Sequence, residues 1–488
     1  MISNFIYILF YTLAIINYLF ALFVVFFERK NPSTIWAWLL VFAIVPCFAF
    51  VIYLIFGFEG RKDRLFTKKR YDDEIILNDY LDMNPSVITN QINLTEKKKI
   101  IDGHHTEYLN DVVLLSIFAS QSPYTHNNSV MAFHDGMSKF DALFEDIKNA
   151  KKFIHLEYYI FNDDVLGNKI IAMLCEKLKE GVEVKLLIDG IGNIPHRKKL
   201  TKPLIEAGGE FAYFLSPIFF RINNRDHRKI AVIDGNIGYI GGINIGDEYI
   251  GNSKEYGYWR DSHIRVEGDS VHLMEVRFIS DWNFCTKGER IKVEEKYFPP
   301  INPVKNGIPI QIISSGADSV FDGIQQSYFK MITEANESIY IETPYFVPDD
   351  SILEALKIAA LSGHDVKIII PYKPDHIIVK PAALSYIGEL LEAGVKCYLY
   401  KSGFIHSKVI TMDSMITSVG TANMDIRSFK LNFEVNAFIY DRKITEEFNN
   451  AFERDLRSCI ELTPADYMRM GRVERMKEAF CRLISPML

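Results

Sequence analysis

His227-Arg-Lys-Ile-Ala-Val-Ile-Asp234-Gly-Asn-Ile-Gly-Tyr-Ile-Gly-Gly242 reads as two short strands joined by a tight turn at Asp234-Gly235-Asn236. Side chains at i and i+2 of a strand share a face, so His227 and Lys229 address one ligand together. Asp234 stands seven residues after His227, at the opposite parity and where a hairpin turn wants Asp. It completes a His-x-Lys-x4-Asp motif but is read mainly as a turn residue. The block recurs as His406-Ser-Lys408-Val-Ile-Thr-Met-Asp413. Gly241, Gly242 and Asn244 lie 14, 15 and 17 residues after His227, and Gly420, Thr421 and Asn423 lie at the same distances after His406. Small residues let a ligand approach the backbone, and an Asn amide can donate to a phosphoryl oxygen.

The repetition extends well beyond this block. Phe153-Ile-His-Leu-Glu157 resembles Ser338-Ile-Tyr-Ile-Glu342, Gly181 to Ile188 echoes Gly363 to Ile370, and Ile205 to Gly208 echoes Leu391 to Gly394. The offsets are 185, 182 and 186 residues, with 179 between the two histidines. Four matches in one order indicate two similar domains, at a period far too long for a solenoid. Each copy alternates β-rich apolar runs with helical patterns such as Lys139 to Ala150 and Ile352 to Leu361, which predicts α/β layers with helices on both faces of a sheet. Val184 to Ile188 and Val366 to Ile370 are apolar almost throughout, as central parallel strands are.

A chain of 488 residues needs more than one core. Its net charge of -7 argues against nucleic acid as a partner, because such binders usually carry a basic excess. Six cysteines are scattered with no C-x2-C pair and no histidine at zinc-site spacing, so packing accounts for them and no metal is expected.

Phe5 to Phe27 and Ile35 to Gly57 carry no charge. At about 1.5 Å per residue each would make a helix of roughly 34 Å, enough to cross a bilayer core. The expectation is an antiparallel transmembrane hairpin, kinked at Pro46 and edged by Trp36, Trp38 and Tyr53. Arg61, Lys62, Arg64, Lys68, Lys69 and Arg70 follow the second run, whereas the connecting loop has only Arg29 and Lys30. The positive-inside rule then puts the remainder of the chain in the cytoplasm. Boundaries are set at 1–60 for the hairpin, 61–110 for a linker and peripheral segment, 111–300 for the first repeat and 301–488 for the second.

The paired motifs resemble the signature of the phospholipase D superfamily, over both repeats. That resemblance implies two α/β/α sandwich repeats packed with pseudo-two-fold symmetry around one site. It implies catalysis by His227, Lys229, Asp234, His406, Lys408 and Asp413 at a phosphodiester, through a covalent phosphohistidine and without metal or cofactor. Asn244 and Asn423 would contact substrate phosphate. The family also supplies a carboxylate downstream of each motif, here Asp261 in Trp259-Arg-Asp-Ser-His263 and Glu434 in Asn432-Phe-Glu-Val-Asn436. These orient the histidines; which carboxylate serves which ring is left open. Glu157 and Glu342 recur at matching points of the repeat and are further candidates for contact with the site.

The hairpin narrows the substrate. Glu28-Arg-Lys-Asn-Pro32, Ala37-Trp-Leu-Leu40 and Tyr53-Leu-Ile-Phe-Gly57, with Arg482-Leu-Ile-Ser-Pro-Met-Leu488, resemble bacterial cardiolipin synthases of the two-helix type. The resemblance implies an integral protein of the bacterial cell membrane that moves a phosphatidyl group between two phosphatidylglycerol molecules. A hydrolytic phospholipase D, or another phosphatidyltransferase, would use the same residues. The segment Val473 to Leu488 can be drawn as an amphipathic helix with Met476, Phe480 and Leu483 on one side.

Overall fold

The computed structural model describes residues 2–27, 32–45, 48–57, 60–89, 91, 107–193, 197–215, 223–253, 257–286, 288, 290–375 and 378–484. They fall into two compact units, an N-terminal one ending at Lys68, to which Asn223 also belongs, and a large one comprising the rest from Lys69 onward.

In the N-terminal unit, helix α1 (Ile2–Phe27) carries no charge and is mostly apolar, and 21 of its residues, Tyr7–Phe27, suit a membrane span. Among the described residues it is the one helix both long and apolar enough to cross. The second apolar run is not one straight helix. It divides into α2 (Pro32–Ile44) and α3 (Ala49–Phe56), and Pro46 lies outside the described residues. Val24, Phe42, Ala49 and Tyr53 form a small core, and Asn17 donates to the Phe42 carbonyl at 2.9 Å. The loop 28–31 and the side chains of Arg61 and Lys62 lie outside the described residues.

The large unit contains two eight-stranded sheets. The first holds β1 (Asn128–Asp135), β2 (Phe153–Tyr158), β3 (Glu183–Asp189), β4 (Glu210–Phe214), β5 (Lys229–Ile233), β6 (Ile237–Gly241) and β7 (Trp259–Gly268), in the order β1-β7-β6-β5-β2-β3-β4. The second holds β8 (Ile310–Ser315), β9 (Ser338–Glu342), β11 (Asp365–Pro371), β12 (Lys396–Tyr400), β14 (Val409–Met412), β15 (Ile416–Gly420), β17 (Glu434–Ile439) and β18 (Cys459–Leu462). Its order from the other edge, β8-β17-β15-β14-β9-β11-β12, repeats the first sheet strand for strand, and β18 is added at the end. A short pair, β10 (Phe346–Val347) with β16 (Met424–Asp425), stands apart. The strand β13 (Phe404–Ile405) leaves the second repeat and pairs with β7 of the first.

The apolar strands β3 and β11 are parallel to both their neighbours and almost wholly buried. Such strands need apolar side chains on both faces, which is why the alternation seen elsewhere is missing there.

Two features differ from the sequence reading. Helix α4 (Gly60–Met83) occupies the segment read as a linker, and its Lys69 is completely buried. Helix α5 (Glu107–Ser120) falls at the start of the first repeat by sequence, but Leu109, Val112 and Val113 pack with Ile313, Ile324 and Tyr328 of the second core. Polar composition hid the first, because charged side chains go inside when they are paired. Chain order gave the wrong neighbour for the second.

Candidate active site

Each motif histidine is seated on the other repeat. The backbone N–H of His227 donates to the Phe433 carbonyl at 2.9 Å, and that of His406 donates to the Arg260 carbonyl at 2.7 Å. The residues that follow those acceptors are Glu434 and Asp261. The His227 Nδ1 lies 2.9 and 3.0 Å from the two Glu434 oxygens, and the His406 Nδ1 lies 2.7 Å from Asp261 Oδ2. A ring that gives its Nδ1 proton to a buried carboxylate keeps the lone pair of Nε2 for chemistry.

Both carboxylates are fully buried. Burial pushes the Asp261 carboxyl up, but Lys408, His406 and the Ser262 N–H outweigh it and hold the group below its usual range. Glu434 is treated alike: burial raises it, and His227, Lys229 and Thr421 bring it lower. Both therefore stay ionised at neutral pH.

The lysines stand beside the rings. Lys229 Nζ donates to the His227 carbonyl at 2.6 Å, and Lys408 Nζ donates to the His406 carbonyl. Lys408 Nζ also lies 2.8 Å from His406 Nδ1. With Asp261 ionised, that nitrogen carries its proton toward the carboxylate. Burial pulls Lys229 down to about 8, against the attraction of Glu434 and Asp261. Burial pulls Lys408 down to about 7, and the charge of Lys229 adds to the effect. Burial likewise lowers both histidines to about 4. Lys408 contributes to the depression at His227, and Lys229 to that at His406, so the two motifs share one electrostatic site.

Tyr159 meets the His227 ring edge to face at 5.0 Å, and Trp259 lies 5.2 Å from the His406 ring. Asn244 accepts from the Ile160 N–H through Oδ1 and donates to the Tyr249 hydroxyl, both at 3.1 Å. The Asn423 Oδ1 is buried without a hydrogen-bond partner. Gly242 packs so closely on Asp261 that a Cβ there would stand 2.1 Å from Oδ1. Any side chain at that position would displace the carboxylate.

Asp234 and Asp413 are not in the site. Seven residues of extended chain carry them roughly 20 Å from their histidines. Asp234 accepts the backbone N–H groups of Lys151, Lys152 and Phe153 at 2.7, 2.7 and 3.0 Å. Asp413 accepts those of Asn336, Glu337 and Ser338, each at 2.8 Å. Both aspartates sit in left-handed backbone, at φ 53° and 50°, as the hairpin turn requires. Each ties its turn to the entrance of the neighbouring strand.

Sequence reading missed a set of paired charges around the site. Arg228, between the two motif residues, is fully buried and donates to Asp281 at 2.6 Å. Asp281, on helix α6 (Ser270–Cys285), also lies 2.9 Å from Lys69, which in turn reaches Asp73 and Asp318 at 2.7 Å each. Arg260, on β7 of the first repeat, reaches into the second, bonding Asp455 at 2.6 Å and lying 3.3 Å from Glu342. Glu157 is buried with both oxygens unpartnered, and burial, followed by Asp226 and Asp281, pushes its carboxyl well up. The available signal was an arginine directly beside a candidate residue, true of Arg228 between His227 and Lys229 and of Arg260 next to Asp261.

Among the described residues no group of His, Cys, Asp and Glu is placed to hold a metal ion. The five described cysteines are free, and Cys47 lies outside the described residues.

Two strand-for-strand equal sheets and one shared pair of His-x-Lys sites define a phospholipase-D-like protein. A family model described as cardiolipin synthase, PLD-like domain, matches residues 143–282 and 328–456, and one described as phospholipase D-nuclease N-terminal matches residues 16–57. The chain is 45% identical to a cardiolipin synthase of Listeria monocytogenes, covering 98% of both chains. It is 44% identical to the major cardiolipin synthase of Bacillus subtilis, over 97% of this chain and 98% of that one. A cardiolipin synthase of Staphylococcus aureus is 43% identical, over 97% and 95%. The crystal structure of a phosphatidylserine synthase from Haemophilus influenzae superimposes with a TM-score of 0.61 at 16% identity, covering 78% of this chain and all of that one, and so shares the fold. The chain belongs to the cardiolipin synthase family of phospholipase-D-like proteins.

Proposed function

We propose that the protein transfers a phosphatidyl group from one phosphatidylglycerol to a second, giving cardiolipin and glycerol. The observation that carries this reading is the likeness to cardiolipin synthases over nearly the whole of both chains. The site geometry supplies a mechanism. His227 Nε2 attacks phosphorus while His406 Nε2–H donates its proton to the departing glycerol oxygen, so the phosphorus–oxygen bond breaks as a phosphorus–nitrogen bond forms. The hydroxyl of the second phosphatidylglycerol then gives its proton back to His406 and attacks phosphorus, releasing His227. Attack is assigned to His227 by analogy with two-motif relatives, since a buried carboxylate holds Nδ1 of either ring.

Glu434 and Asp261 fix the rings and keep Nε2 turned to the substrate. Lys229 and Lys408, with the amides of Asn244 and Asn423, stabilise charge on the non-bridging oxygens. In the free site both histidines are neutral at pH 7. An arriving phosphodiester anion favours protonation of one of them, which is the state the acid needs.

The reading includes pseudo-two-fold packing of the two repeats, supported by the reciprocal His227–Glu434 and His406–Asp261 pairs. It includes a membrane hairpin formed by α1 with α2 and α3, whose contacts at Val24, Phe42 and Tyr53 support it. The large unit faces the cytoplasm, by the basic residues that follow the hairpin. Incubation of the purified protein with phosphatidylglycerol labelled in its headgroup tests the activity. Cardiolipin with one free glycerol per turnover is expected; phosphatidic acid without cardiolipin contradicts it.

A further inference from the structure

The C-terminal helix α8 (Arg472–Ile484) is packed the wrong way round for an ordinary amphipathic helix. At about 100° per residue, Val473, Met476, Phe480 and Leu483 fall within roughly 80° of one another. A stripe of this kind normally faces a core. Here these four side chains are 66, 72, 63 and 65% exposed. The face turned inward, toward helix α7 (Val379–Glu392), carries instead Glu478 and Cys481. It is held by polar contacts: Tyr467 donates to Glu478 at 3.0 Å, and Arg482 pairs with Glu389 and lies over the Tyr386 ring at 4.6 Å.

The charges are sorted in the same sense. Arg472 and Lys477 flank the apolar stripe on its two sides, by the same rotation, with Arg475 beyond Arg472. The acids lie elsewhere. Glu478 points inward, and Glu474 turns back to accept the Gly471 N–H at 3.2 Å. An exposed apolar stripe edged by cations and free of acids is complementary to a surface that is apolar beneath and anionic above. A protein partner would need no such sorting. We propose that α8 is a second membrane contact, lying flat in an anionic phospholipid surface with Val473, Met476, Phe480 and Leu483 inserted and Arg472 and Lys477 at the headgroups. Such a contact would hold the catalytic unit against the leaflet that carries both of its lipid substrates. It rests on the proposed activity only for that benefit, not for its geometry.

The test uses the full chain reconstituted in mixed phosphatidylcholine and phosphatidylglycerol vesicles that contain a trace of phosphatidylglycerol with a photoreactive acyl chain. After irradiation, labelled peptides are located by mass spectrometry. Label is expected on residues 473–483 as well as within Tyr7–Phe27, which serves as the internal control. In an Arg472→Glu, Lys477→Glu double variant the label on α8 should fall at least fivefold while that on the control is unchanged. Label on the control without label on α8 overturns the proposal. So does equal labelling of α8 in the double variant. Since the readout needs no turnover, cardiolipin formation with an unlabelled α8 would sink this contact and leave the activity standing.

Discussion

Glu434 holds His227 across the boundary between the repeats, with Nδ1 2.9 and 3.0 Å from its two oxygens, and the charge is buried out of water. Asp261 does the same for His406. Neither repeat can therefore assemble a working histidine alone. Glu434→Gln and Asp261→Asn keep shape and remove charge, so each ring loses the fixed proton at Nδ1 that directs Nε2. Each variant is expected to lower kcat by roughly 10²- to 10⁴-fold. Circular dichroism and thermal melting should show the fold retained; a loss below tenfold in both variants would remove the carboxylates from the account.

Proton uptake sets the pH response of stability. In the folded chain burial keeps His227 and His406 near 4, and His272 near 4 as well. The unfolded histidines titrate near 6.5. Between those values the unfolded chain binds more protons, so stability falls as pH drops from about 6.5 toward 4, by about 1.4 kcal/mol per unit for each histidine. Above about 6.5 this contribution is flat. Melting temperatures across pH 4 to 8 check it.

Activity has its own limit on the alkaline side. Burial brings Lys408 to about 7 and Lys229 to about 8, so the free site loses cations as pH rises through that range. The ratio kcat/KM should decline there. Bound phosphate favours the ammonium forms, so the decline in kcat should come at higher pH. A kcat/KM profile flat to pH 9 would contradict the role given to the lysines.

Asp234→Ala should cost stability rather than chemistry. Three backbone N–H groups lose a charged acceptor, and Ala is less suited than Asp to φ 53°. A loss of about 2 kcal/mol is expected. Asp234→Asn, which keeps one oxygen and tolerates that backbone, should lose less. Both should retain kcat within a few-fold, as measured on cardiolipin formation.

Lys69→Met tests the buried charges paired with the His227 segment through Arg228. It leaves Asp318 and Asp73 short of a cation and weakens the surroundings of Asp281, the partner of Arg228. Removing one member of a buried ionic group costs about 3–5 kcal/mol. The expected result is a large fall in melting temperature, larger than for Lys68→Met next to it.

The duplication, the α/β layers and the motif residues were legible because each leaves a local mark: a repeated spacing, an apolar run, an i, i+2 pair. The carboxylates at 261 and 434 could be named only through the resemblance, and their pairing with the opposite repeat's histidine is a property of packing. Lys69 and α5 were misplaced for a related reason. Their partners, Asp318 for one, 249 residues away, and Ile313 for the other, lie far along the chain, and nothing in the local pattern points to them. The C-terminal stripe was visible as periodicity, but that it faces outward could not be read from periodicity alone.

The central claim is that His227 becomes covalently bonded to phosphorus while His406 handles the proton. A phosphatidyl nitrophenyl ester separates the two roles, because its leaving group departs without an acid. With His406→Ala, rapid mixing and alkaline quench should show one equivalent of nitrophenolate and a lipid-linked phosphohistidine at His227, while His227→Ala should show neither. An adduct at His406 in the His227→Ala protein, or no adduct in either variant, would contradict the account.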